Sequence, residues 1–100
     1  MSPRRLRLTP NQVVAHNLTV ARVERGWSQT QAAEALEPFL GVRWSRASYS
    51  AVERSVDGAR VKQFSADELV AIARGFDRPI TWFLTPPDCA IAVTADRPRG

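Results

Sequence analysis

The side chains in this sequence best equipped for chemistry are arginines rather than nucleophiles. Thirteen of its 14 basic residues are Arg. A guanidinium donates paired, coplanar N–H bonds, which suit phosphate oxygens and the acceptor edge of guanine. The stretch Arg43-Trp44-Ser45-Arg46-Ala47-Ser48-Tyr49-Ser50-Ala51-Val52-Glu53-Arg54 places several of them at a regular spacing. If it is helical, Tyr49 and Val52 turn inward. Arg46, Ala47, Ser50, Ala51 and Arg54 then face outward, with Glu53 near the end as the one acid of that face. A helix enters a groove about 12 Å wide only if its leading face is neither bulky nor negative.

Other chemistries lack their parts. The chain has one His, His16, and one Cys, Cys89. No zinc ligand set can be built from them, and no intramolecular disulfide can close. No nucleophile–base pair, metal set or phosphate loop is visible, so the reading is of a non-enzyme without cofactor or metal. His16 reads as a solvated residue on the polar side of its helix. The net charge of +4 fits an acidic partner without demanding one. The apolar runs are too short to span a membrane. The start of the chain is basic and has no apolar signal core, which points to a cytoplasmic setting.

The elements that must position these residues begin at recognisable caps. Thr9 with Gln12, Ser28 with Gln31, and Ser65 with Glu68 each have capping-box spacing, which satisfies two orphan N–H groups reciprocally. Ser45 is a fourth N-cap. Leu8 with Val13, Trp44 with Tyr49, and Phe64 with Leu69 sit where hydrophobic staples would close across these starts. The spacing predicts helices over 10–25, 29 to 36 or 37, 46–54, 66–76 and 80–84. Gly26, Pro38, Asp77 and the Pro86-Pro87 pair are their expected stops. No strand pattern precedes residue 89. The class is all-α, with a basic arm over 1–8, a folded domain over 9–85 and a tail over 86–100. Within the tail, Cys89 to Val93 is apolar enough for a short strand or a docking segment. Ala33 is small where two helices must cross closely. Trp27, Trp44 and Trp82 are expected in the core, with Trp82 alternatively at a dimer interface.

Three segments together resemble a known family. RGWSQTQAAEAL is similar to the second helix, SRASYSAVER to the recognition helix, and DELVAIARGFDRPITWFL to the closing helices of the Xre/Cro group. These are lambda-repressor-like helix-turn-helix transcriptional regulators, and the likeness covers about residues 14–84. It implies a five-helix DNA-binding domain that acts as a homodimer on double-stranded DNA, as a repressor. Arg46, Ala47, Ser50 and Ala51 would face base edges. Ser28, Gln29, Arg43, Ser45, Arg54, Arg60 and Lys62 would contact phosphates. The arm at Arg4, Arg5 and Arg7 would reach toward a minor groove. Ser45 follows Gln29 by sixteen positions, more than the family's usual spacing. The residues from Glu37 to Gly41 are expected to lengthen the turn, as in the Xre-type regulators of filamentous actinobacteria. The same fold also serves antitoxins and adaptors, in which a protein partner would engage the closing-helix aromatics and the apolar tail.

Overall fold

Four of the five helices among the described residues start where the sequence offers a side-chain cap, and the short fifth follows Pro79 without one. The computed structural model describes residues 8–57 and 60–87. They form α1 (Pro10–Arg25), α2 (Gln29–Leu40), α3 (Arg46–Arg54), α4 (Ala66–Phe76) and α5 (Ile80–Phe83). The described residues contain no strand. Arg4, Arg5 and Arg7 of the basic arm, and Cys89 to Val93 of the tail, lie outside the described residues.

The capping boxes of Thr9, Ser28 and Ser65 all close in both directions. Ser45 caps α3 by accepting from the Ser48 N–H. At the other ends, Gly26 and Asp77 take left-handed conformations and return their N–H groups to the last turns of α1 and α4.

One boundary departs from expectation. Pro38 does not end α2, which continues to Leu40 with the proline inside it. Pro38 lacks the N–H that would bond the Glu34 carbonyl, but Glu34 is exposed, where water can serve that group. Leu40 packs against the core, and Gly41, at φ 81°, closes the helix through its N–H to Glu37 O at 2.9 Å. Burial of Leu40 and a proper left-handed cap outweigh the local preference of a pre-proline residue. The extra residues therefore extend the helix by about a turn rather than lengthening the loop. Only Gly41 to Trp44 separate α2 from the Ser45 cap.

The core gathers one stripe from every helix. Val14, Leu18 and Ala21 of α1 meet Ala32, Ala33 and Leu36 of α2, Tyr49 and Val52 of α3, Ile72, Ala73 and Phe76 of α4, and Phe83 of α5. Trp27 packs tilted on Phe76, with ring centres 5.3 Å apart. Trp82 is half-buried, edge-on to Phe83 at 4.8 Å and covered by the Arg78 guanidinium at 4.1 Å. All three tryptophans thus pack against the core while each stays partly exposed. Asn17, buried on α1, donates through Nδ2 to the carbonyls of Trp82, Phe83 and Thr85 at 2.9–3.2 Å. It satisfies the end of α5, a helix too short to hold itself.

α2 and α4 cross most tightly. A Cβ at Gly75 would stand 2.4 Å from Leu36 Cδ2, and Leu36 is fully buried. Gly75→Val is expected to destabilise the fold by about 1–3 kcal/mol, the usual penalty of overpacking a filled core. Gly75→Ala should cost less, because helix propensity returns about 1 kcal/mol. Urea denaturation checks both. A valine variant as stable as the parent would show that the two helices can separate freely.

Candidate nucleic-acid interface

The exposed face of α3 is set by what holds its other face. The ring centres of Tyr49 and Trp44 lie 6.3 Å apart, a staple across the start of the helix. Tyr49 and Val52 point into the core. Arg46, Ala47, Ala51 and Arg54 are exposed and Ser50 is half-buried. Apart from Glu53, the outward set expected from the sequence therefore lies at the surface.

Glu53 is different. Its placement on the outer face is corrected by the structure: only 6% of it is exposed. Its carboxylate accepts from Arg22 Nε at 2.7 Å, Arg22 Nη2 at 3.2 Å and Gln29 Nε2 at 3.1 Å. Arg22 also donates through Nη1 to the Trp27 carbonyl at 2.9 Å. This one buried carboxylate ties α1, the start of α2 and the last turn of α3 together. Hydrogen bonding to Glu53 raises the pKa of Arg22 despite partial burial. Its inward position was readable, since 49, 52 and 53 follow the i, i+3, i+4 stripe of a single buried face. With Glu53 turned in, the outward face of α3 carries no acid.

The expected phosphate contacts divide. The Gln29 side chain is held by Glu53, so what it presents outward is the backbone N–H end of α2. The Ser28 hydroxyl accepts from the Gln31 N–H at 3.0 Å. The Ser45 hydroxyl accepts from the Ser48 N–H and donates to Ser48 Oγ at 3.1 Å. Arg43 donates to Glu37 at 3.0 Å and lies 3.7 Å from Glu34. Lys62 pairs with Glu68 at 3.0 Å and sits beside the rings of Trp44 and Phe64. Burial disfavours the Glu68 carboxylate, but the Ser65 N–H and the Lys62 ammonium outweigh it, and its pKa falls below the ordinary 4.5. Lys62 is therefore paired in a part-buried site, whereas the Arg43 pairs lie at the surface, where solvent screens them.

Arg46, Arg54 and Arg60 are not compensated in this way. Among the described residues none of the three has an acidic partner. Arg60 shares a shallow hollow of about 220 Å³ with Ala51, Ser55 and Lys62, which sets it beside α3. Arg54 folds back one turn and donates from Nη1 to Ser50 Oγ at 2.7 Å. Its guanidinium thus lies over the middle of the exposed face rather than off its end. The resemblance implies separate roles for these two residues, Ser50 toward bases and Arg54 toward phosphate, and the structure joins their side chains. Their i, i+4 spacing was the available signal.

Tyr49 backs this face. It is fully buried, and among the described residues its hydroxyl oxygen has no hydrogen-bond partner. Burial first, and the nearby Glu53 carboxylate second, push its pKa far above the ordinary 10.0. Because the folded value is raised, Tyr49 costs the fold nothing well below pH 10, and stability is lost as the pH climbs past it. Tyr49 is the only tyrosine, so tyrosinate absorbance reports it alone. The expected result is that absorbance and helix loss rise together above pH 10. Ionisation at its ordinary pKa with the helices intact would contradict the burial.

Among the described residues no helix is long and apolar enough to cross a membrane, and no group of metal-ligating side chains occurs. No protein-family model, no curated protein and no solved structure shows a significant match to the chain.

Proposed function

We propose that this protein is a lambda-repressor-like transcriptional regulator that lays the exposed face of α3 in the major groove of double-stranded DNA. The observation that carries the reading is the charge on that face: among the described residues Arg46 and Arg54 have no acidic partner, Arg60 lies beside them, the one carboxylate of α3, Glu53, is buried and paired, and Asp57, exposed in the turn after α3, pairs with none of the three. A surface arranged in this way leaves its cations for a polyanion. Arg46 and Arg54 are the base readers, each offering a bidentate fork to guanine. Ser50 positions Arg54. Ala47 and Ala51 permit close approach and contact thymine methyls. Arg60 and the N-terminal N–H groups of α2 meet phosphates. The regulator acts as a dimer, and its half-sites are spaced at about one helical turn, 34 Å.

Titration of a labelled random-sequence duplex at increasing salt tests this reading. Each neutralised phosphate contributes about −0.9 to the slope of log K against log salt, so affinity should fall steeply. Absence of binding at low salt, or binding indifferent to salt, would remove the proposal.

A further inference from the structure

We propose that the outer face of α4 is a self-docking surface, on which a second copy of this chain packs antiparallel, α4 against α4. Asp67, Val70 and Arg74 follow one another at helical spacing on this face and are all exposed. Val70 is 42% exposed and Phe39, at the adjoining end of α2, is 47% exposed. Hollows of about 430 and 420 Å³ lie on the two sides of α4 and share Val70 and Arg74 as a common wall. The helix therefore presents a ridge between two grooves, and a two-fold axis turns such a surface onto itself, ridge into groove.

Charge decides the direction. Among the described residues neither Asp67 nor Arg74 has an ion-pair partner. The face reads negative, apolar, positive along the helix. Antiparallel alignment about Val70 sets Asp67 of each copy against Arg74 of the other, whereas parallel alignment sets like against like. Arg74 already leans over the Phe39 ring at 6.0 Å, so the same contact brings an aromatic edge under the pair. The other exposed large apolar residues, Val23, Val42 and Leu84, line neither hollow. This surface rests on the proposed function only for the expectation of a dimer, and a test without DNA keeps its failure distinct from failure of the α3 groove assignment.

Sedimentation equilibrium of the full chain is the experiment. The parent should show a reversible dimer. Asp67→Arg and Arg74→Asp should each raise the dissociation constant by about tenfold or more, because each places like charges across the axis twice. The combined Asp67→Arg, Arg74→Asp variant should restore the parent value. Val70→Glu, an exposed substitution, should also dissociate the dimer, with circular dichroism confirming an unchanged fold in every variant. A parent that stays monomeric, single variants that leave the dimer intact, or a double variant that fails to recover would each overturn the proposal.

Discussion

Glu53→Ala is expected to destabilise the folded chain by about 3–5 kcal/mol, the range for a buried ion pair stripped of one partner. The carboxylate is 6% exposed and accepts three hydrogen bonds, two from Arg22 and one from Gln29. Removing it leaves a guanidinium and an amide without their acceptor in a site that water enters poorly, and the full desolvation penalty is felt. Arg22 keeps some exposure, at 17%, which favours the lower end of the range. A domain of this size has only about 5–15 kcal/mol in total, so the variant should populate unfolded chain at ordinary temperature. Replacing both partners, Arg22→Met with Glu53→Leu, should cost less than Glu53→Ala, because no charge is then stranded. Denaturant titration measures all three. A loss under about 1 kcal/mol for Glu53→Ala would show that the carboxylate is not a structural keystone.

Replacing Arg46 and Arg54 together by Ala is expected to weaken binding to the preferred duplex by about 30-fold to about 10⁴-fold. Each bidentate guanine contact is worth about 1–3 kcal/mol. The two residues are eight positions apart on α3, about 12 Å along its axis, so the losses should add. Both side chains are exposed, and folding stability should move by no more than about 0.5 kcal/mol. Ser50→Ala should reproduce part of the Arg54 effect, because it releases the guanidinium from its 2.7 Å anchor. A fluorescence-anisotropy titration on one duplex distinguishes these outcomes. An unchanged affinity in the double variant would take α3 out of the groove.

Caps and stripes were legible because they are local. Thr9, Ser28, Ser45 and Ser65 announce helix starts within three residues of themselves, and the structure starts a helix after each. The inward pair Tyr49 and Val52 follows from periodicity alone. Pro38 reads as a stop because its local preference competes with a tertiary fact, the packing of Leu40 against the core, that lies outside any short window. The pairing of Arg22 with Glu53 spans 31 positions and that of Arg78 with Glu24 spans 54, and nothing in the spacing of one names the other. The charge state of the candidate site depends on such pairs. From sequence, Arg43, Arg46, Arg54, Arg60 and Lys62 look equally available to an acidic partner. Ion pairs engage Lys62 in a part-buried site and Arg43 at the surface, and among the described residues the other three have no acidic partner.

Selection of duplexes from a random pool by the full chain, followed by the same selection with Arg54→Ala, tests most directly whether α3 reads sequence. The expected result is an enriched site containing a G·C pair whose preference collapses in the Arg54 variant, while Arg60→Ala weakens all duplexes alike. A pool that shows no enrichment, or an identical site enriched after Arg46 and Arg54 are both replaced, would contradict the assignment of α3 as the reading helix.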